Sequence, residues 1–62
     1  MYRKIKSYLD ANGLKYKAVA EKSEIDYAAF VNILSGNRTL KADELLRICE
    51  ALDVPFDYFV EK

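Results

Sequence analysis

Apolar residues recur at the spacing of an α-helix through most of this 62-residue chain. Spacings of three and four residues place them on one side of each predicted helix, with charged residues mostly elsewhere. The pattern predicts five helices, at about residues 1–12, 16–22, 27–35, 41–52 and 55–60. Connections of two to six residues are typical of a compact all-α fold, so we expect one domain over residues 1–62.

Residues that start or stop helices mark the ends of several of these segments. Gly36 follows the third predicted helix, and glycine tolerates the left-handed conformation that ends a helix. Asp26 precedes that helix, where its carboxylate can accept hydrogen bonds from free backbone N–H groups. Asp43 and Glu44 lie in the first turn of the fourth helix, where they suit the positive end of its dipole. Pro55 fits the first position of a short last helix.

Residues 16–35 form two short predicted helices joined by a break of about three residues. Val19 and Ala20 give the first helix an inward face, and Phe30 and Ile33 give the second helix its own. Because both faces must be buried, the two helices are expected to cross. This is the layout of a helix-turn-helix, whose second helix can enter the DNA major groove.

The composition excludes several kinds of chemistry. The chain has no histidine and a single cysteine, Cys49, so an internal disulfide is impossible and a zinc finger has too few ligands. Ser-His and Cys-His catalytic pairs lack their base. We therefore expect no enzyme activity, no cofactor and no metal, and we expect Cys49 to be a small buried hydrophobe.

Nothing in the hydropathy predicts association with a membrane. No apolar run approaches the roughly 18 residues that a membrane-spanning helix needs. The N-terminus also lacks the apolar core of a signal peptide. A cytoplasmic location is the expectation.

The formal net charge is zero, but the charges are unevenly distributed. Residues 1–22 contain six basic and two acidic residues, whereas residues 43–62 contain two basic and six acidic residues. Such asymmetry can give a neutral protein one face that attracts phosphate. Neither half contains a dense basic cluster, so charge alone does not establish a nucleic-acid partner.

The order of these features resembles the DNA-binding domain of the Cro/CI-type (XRE) phage-repressor family. Counted from Tyr16, the small residue falls at the fifth position and apolar residues at the tenth, fifteenth and eighteenth: Ala20, Ile25, Phe30 and Ile33. The glycine-then-basic connection of the family is matched by residues 36–38, and its Ala-Leu-Gly-Val ending by residues 51–54. The resemblance covers nearly the whole chain. It implies a five-helix lambda-repressor-like fold and a DNA-binding transcriptional regulator.

The chain departs from the family at positions that bear on function. Glu24 stands where members often have a glycine in left-handed backbone, and keeping that conformation costs about 1–2 kcal/mol. A frequent Gln is replaced by Tyr16. The recognition helix begins Tyr27-Ala28-Ala29, so its first turn lacks side chains that bind a base edge in bidentate fashion. Modest sequence specificity, with a large contribution from phosphate contacts or DNA shape, is expected.

Ten residues are expected at the DNA if the resemblance holds. Base readout falls to Tyr27, to the methyl groups of Ala28 or Ala29 and to Asn32, while cations near the helix ends bind phosphate. The alternatives are that Asn32 is a surface polar residue, that Tyr27 shields the core and that each cation is solvated. The full set is Lys15, Tyr16, Lys17, Tyr27, Ala28, Ala29, Asn32, Asn37, Arg38 and Lys41.

The last predicted helix contains more apolar residues than one buried face can hold. Phe56, Tyr58 and Val60 cannot all point inward, and Leu34 lies beside the buried face of the recognition helix. An exposed cluster there is a candidate homodimer surface, because such domains read paired half-sites on double-stranded DNA. The alternative is that Tyr58 only covers the edge of the core.

The sequence is also compatible with a second function. Zero net charge and the small residues Ala28 and Ala29 also suit a protein-interaction module of the same fold. Such a module, antitoxin-like or anti-repressor-like, would bind a protein partner and have weak or no DNA binding.

Overall fold

The computed structural model describes residues 2–60, which form four α-helices and no β-strand. The all-α class is confirmed. The second helix has the predicted bounds, and the others differ by one residue at one end or both, with Met1 outside the described residues. The helices are α1 (Tyr2–Ala11), α2 (Tyr16–Lys22), α3 (Tyr27–Leu34) and α4 (Ala42–Leu52).

The predicted fifth helix, residues 55–60, is wrong, because the chain there forms successive turns. The Tyr58 N–H donates to the Pro55 carbonyl at 3.0 Å, and the Val60 N–H donates to the Asp57 carbonyl at 3.1 Å. Both bonds span three residues rather than the four of an α-helix. Six residues supply too few hydrogen bonds to offset the cost of helix nucleation. The segment is instead positioned by Phe59, which is buried.

One apolar core joins all four helices and the C-terminal segment, residues 53–60. α2 contacts both α3 and α4, and α1 contacts α3. The helical spacing of the apolar residues predicts an inward-facing set of Phe30, Ile33, Leu45, Ile48, Leu52 and Phe59. All are buried except Leu52, which is only partly buried at the end of α4. Leu34 is also buried, so it contributes nothing to an exposed cluster. The core consists of Ile5, Leu9, Val19, Ala20, Ile25, Phe30, Ile33, Leu34, Leu45, Ile48, Cys49 and Phe59.

Among residues 2–60, two residues other than glycine have left-handed backbone, and each ends the turn after a helix. Glu24, between α2 and α3, has φ of 57°, so the chain keeps the left-handed backbone for which family members often have glycine. Asp53, after α4, also has φ of 57° and stands where the Ala-Leu-Gly-Val pattern has glycine. The Arg47 Nη1 donates to the Glu24 carbonyl at 3.3 Å, which ties the first of these turns to α4. Both positions retain a backbone that glycine would adopt with less strain.

Residues 2–60 contain neither a membrane-spanning helix nor a cluster of metal-ligating side chains. None of the helices in that range combines the length and the apolar character needed to cross a membrane. Within the same range, no three His, Cys, Asp or Glu side chains come together as metal ligands. Cys49 is buried as predicted, and burial, followed by the charge of Asp57, raises the pKa of its thiol.

Candidate nucleic-acid interface

α3 has one face in the core and one face in solvent. Phe30 and Ile33 are fully buried, while Tyr27, Ala28 and Asn32 are exposed. Residues four positions apart share a side of a helix, so Asn32 lies on the same side as Ala28, and Tyr27 is exposed next to Ala28 at the start of the helix. We call these three exposed residues the recognition face. Ala29 packs partly against the core, which leaves its methyl group less available for contact with a base.

The start of α3 is fixed by Asp26, as predicted. Its Oδ2 accepts hydrogen bonds from the backbone N–H groups of Ala28 at 3.1 Å and Ala29 at 3.4 Å. These bonds satisfy donors that a helix N-terminus otherwise leaves free. The cap therefore fixes the first turn of the recognition face and occupies N–H groups that would otherwise be open to a phosphate.

The N-terminal end of α2 presents two exposed lysines beside a constrained tyrosine. Lys15 and Lys17 are exposed, and Lys15 precedes the helix without making a side-chain capping bond. Tyr16 is partly buried, with its ring edge-on to Phe30 at a centroid distance of 6.5 Å. Its hydroxyl donates to the Asp10 Oδ1 at 2.6 Å. The lysines are free to meet phosphate, whereas the Tyr16 hydroxyl already has an acceptor.

A small charged network surrounds the Tyr16 hydroxyl. The Lys6 Nζ lies 3.1 Å from the Asp10 Oδ2, so both carboxylate oxygens of Asp10 are hydrogen-bonded. The bond from Tyr16, followed by that from Lys6, lowers the pKa of Asp10. The same carboxylate raises the pKa of Tyr16 and that of Lys6. The network keeps Tyr16 protonated and places a lysine against the carboxylate that would otherwise repel phosphate.

Glu44 holds the loop between α3 and α4, residues 35–41. From the sequence alone, this residue was expected only to interact with the dipole of α4. The Glu44 side chain is only 7% exposed, and its Oε2 lies 3.2 Å from the Arg38 Nη1. Its Oε1 accepts a hydrogen bond from the Lys41 backbone N–H at 3.1 Å. A lysine ammonium has no acceptor, so this is only half of a capping box. Arg38, 37% exposed, is shared between this ion pair and solvent.

A second contact that the sequence did not predict holds the other end of this loop. Gly36 has φ of +81°, and a Cβ added there would lie 2.7 Å from the Cζ and hydroxyl oxygen of Tyr2. The Tyr2 ring therefore rests directly on the glycine backbone and joins α1 to the loop. A local sequence pattern could not predict this contact, because Tyr2 and Gly36 lie 34 positions apart in the chain. Glu44, by contrast, sits three residues after Lys41, which is the spacing of a capping box.

The ten residues expected at DNA occupy three connected segments: the start of α2, the outer side of α3 and the following loop. Seven of the ten are exposed. Asn37 is among them, with its side-chain nitrogen 3.4 Å from the Ser35 Oγ. The three that are partly buried, Tyr16, Ala29 and Arg38, each have another contact within the domain. The geometry thus leaves Lys15, Lys17, Tyr27, Ala28, Asn32, Asn37 and Lys41 open to a partner.

The three residues predicted for a dimer surface lie in the C-terminal segment and are exposed. Phe56 is 48% exposed, Tyr58 53% and Val60 37%. The Tyr58 ring also packs edge-on against Tyr8 and Phe59, with centroid distances of 5.6 and 5.1 Å. Tyr58 therefore covers the edge of the core and still presents half of its surface to solvent.

Comparison with known protein families supports the identification of α2 and α3 as a helix-turn-helix. The helix-turn-helix family model matches residues 5–59, from the middle of α1 to the buried Phe59. Comparisons with curated proteins and with solved structures gave no match. The match includes α2, α3 and the left-handed turn between them. The chain belongs to the Cro/CI-type (XRE) helix-turn-helix family of DNA-binding regulatory domains, which are not typically enzymes.

Proposed function

We propose that this protein is a transcriptional repressor that binds operator DNA as a homodimer, with α3 in the major groove. The observation that carries the proposal is the division of α3 into a fully buried side and the exposed recognition face. Such a helix is fixed by the core and still projects side chains outward, as insertion into a groove requires. A repressor of this kind would act in the cytoplasm.

The recognition face would read few bases directly. Asn32 is its one side chain able to make a bidentate pair, which suits adenine, while the Ala28 methyl suits the methyl group of thymine. Tyr27 is half exposed at the start of the helix and would contact a base or the backbone. We therefore propose modest sequence specificity, supplemented by DNA shape.

Phosphate contacts would come from the lysines on either side of α3. Lys15, Lys17 and Lys41 are exposed at helix starts, and Asn37 is exposed in the loop. Arg38 would contribute less than its charge suggests, because Glu44 already shares that charge. Tyr16 would donate to a phosphate only by giving up its bond to Asp10, because its hydroxyl has one proton and a phosphate oxygen is an acceptor.

A salt titration tests the proposal. A duplex is first selected from a random pool with the protein, and its affinity is then measured from about 50 to 200 mM salt. Three lysines per protomer would neutralise about six phosphates in a dimer, which predicts a loss of roughly 10³-fold. An affinity that stays nearly constant over this range would contradict the phosphate-anchored mode of binding.

Two substitutions separate positioning contacts from base readout. Lys17→Ala should weaken binding to all sequences alike and lower the salt slope by about 2 for a dimer. Lys22→Ala, at the far end of α2, is the matched control and should change neither. Asn32→Ala should relax preference at one base position of each half-site by about 1–3 kcal/mol. Unchanged sequence preference in Asn32→Ala would show that another residue reads the DNA.

A protein-interaction module is the second candidate function. It is favoured by the pairing of Arg38 with Glu44 and of Tyr16 with Asp10, which takes two expected phosphate ligands partly out of use. Here the recognition face would bind a protein surface instead of a base edge. Failure to shift any DNA fragment at low salt, together with binding of a defined partner that Asn32→Ala or Tyr27→Ala abolishes, would favour this function.

A further inference from the structure

A groove of about 480 Å³ lies on the surface between α1 and the C-terminal segment. Its apolar wall is formed by the rings of three aromatic residues. The Tyr8 ring packs edge-on against Phe59 and Tyr58, with centroid distances of 5.7 and 5.6 Å. Mutual packing of this kind holds the rings in place before any ligand arrives, which lowers the entropy cost of binding. We call it the aromatic groove; it is lined by Arg3, Lys4, Ser7, Tyr8, Tyr58 and Phe59.

The aromatic groove uses different residues of α1 from those that support the candidate DNA-binding elements. Tyr2 rests on Gly36, and Asp10 holds Tyr16, so these two residues support the loop and the start of α2. Arg3 and Lys4 are exposed and line the groove instead. A ligand in the groove would therefore leave the recognition face uncovered.

The C-terminal segment, whose Tyr58 and Phe59 line the groove, also carries exposed groups that would complement it. Phe56 is exposed immediately before Asp57, and Tyr58 follows it. An aromatic side chain beside a carboxylate matches an aromatic wall with Arg3 and Lys4 at its margin. The charges of the whole chain follow the same division, with basic excess in residues 1–22 and acidic excess in residues 43–62.

Self-complementarity of this kind is what a twofold interface requires. In such an interface the same patch from each protomer meets its copy, so a projection and its receptor must lie on one surface. The C-terminal segment supplies the projection, and the groove beside it supplies the receptor. A direct meeting of two C-terminal segments alone would instead bring Asp57 of each protomer close to its copy, and like charges there are unfavourable.

We propose that a second copy of this chain occupies the aromatic groove, with its Phe56 against the aromatic wall and its Asp57 beside Arg3 and Lys4. The contact is reciprocal, so each protomer gives one C-terminal segment and receives the other. The basic end of α1 thereby belongs to the dimer interface and not to the phosphate contacts. The inference rests on the proposed dimer and specifies the surfaces that form it.

A charge swap between protomers tests this arrangement in the absence of DNA. Lys4→Glu and Asp57→Lys, each alone, should weaken the dimer by about tenfold or more in sedimentation equilibrium, because each brings like charges together. An equal mixture of the two variants should regain the dimer, since Glu at position 4 of one protomer then faces Lys at position 57 of the other. Both side chains are exposed, so the fold should be retained, and Lys22→Glu is the matched control.

Three results would overturn the inference. The first is that the parent protein stays monomeric at all concentrations up to about 1 mM. The second is that either single variant dimerises as tightly as the parent protein. The third is that mixing the two single variants does not restore dimerisation. Phe56→Ser provides an uncharged check, and it should also weaken the dimer. DNA binding is measured separately. If affinity for DNA falls steeply with salt while the charge swap leaves the dimer unchanged, the proposed DNA-binding function stands and only the proposed dimer contact at the aromatic groove is refuted.

Discussion

The helix-turn-helix, residues 16–34, and the C-terminal segment, residues 53–60, both place aromatic residues in one core but differ in how their backbones are held. In the helix-turn-helix, a side-chain cap, two regular helices and several buried residues all stabilise the same conformation. In the C-terminal segment, Phe59 is fully buried and its neighbours Phe56 and Tyr58 are about half exposed. The first conformation is specified locally and by packing, whereas the second depends mainly on packing.

The largest effect should come from removing the aromatic anchor of the helix-turn-helix. Phe30 lies on the inner side of α3 and is fully buried in the core. Phe30→Ala should therefore lower the free energy of unfolding by about 3–5 kcal/mol. Tyr27→Ala, three residues earlier on the exposed face, should change it by at most about 0.5 kcal/mol. Urea unfolding measures both. Similar losses for the two variants would mean that α3 does not have distinct inner and outer faces.

The corresponding pair in the C-terminal segment should show a smaller difference. Phe59→Ala should lower the free energy of unfolding by about 3 kcal/mol, the low end of the range, because non-helical backbone can move into the space. Phe56→Ala should change it by at most about 0.5 kcal/mol when measured on the monomer. If Phe56→Ala is as costly as Phe59→Ala, the segment is anchored by more than one residue.

Each region contains a left-handed residue that directly follows or lies just after a helix, and this shared feature permits a matched test. Glu24→Gly and Asp53→Gly should each raise the free energy of unfolding by about 1 kcal/mol, because glycine adopts φ near 57° without the Cβ clash. Gly13→Ala should act in the opposite direction by a similar amount, since Gly13 has φ of +64° and open space around it. Thermal unfolding of the three variants provides the comparison. A loss in both glycine variants would show that the Glu24 and Asp53 side chains stabilise their turns.

The smallest effect should come from the bond between Asp10 and Tyr16, which attaches the start of α2 to α1. Because the pKa of Asp10 is lowered in the folded protein, its stabilising contribution is present above the pKa of the unfolded chain, about 3.9. That contribution is lost as the pH falls through the lowered folded pKa. Urea unfolding from about pH 6 downward should therefore show a weaker pH dependence in Asp10→Asn than in the parent protein. An unchanged profile would mean that the network does not contribute to folding.

The sequence predicted the helix-turn-helix well because its signals are local. Asp26 is a good N-cap at the position where α3 begins, and Gly36 follows its end. The spacing of Phe30 and Ile33 determines which side is buried. The family resemblance raised the question of a left-handed turn at Glu24 without answering it, since Glu itself does not favour that conformation.

The contacts that hold the candidate site were not predictable in the same way. The pairing of Arg38 with Glu44 and the contact of Tyr2 with Gly36 join separate elements and depend on how the helices pack. The helix predicted at residues 55–60 was wrong for a related reason, because burial of Phe59 outweighs a short segment's weak helical tendency. Local pattern identified the elements, while tertiary contacts determine which cations remain available to DNA.

Selection of bound sequences from a random pool of double-stranded DNA tests the central claim most directly. A dimer that inserts α3 into the major groove predicts enrichment of two inverted half-sites, with centres about 10 base pairs apart. Specificity should be modest within each half-site, with one position that Asn32→Ala relaxes. A pool without any enriched motif at low salt would contradict sequence-specific reading by α3.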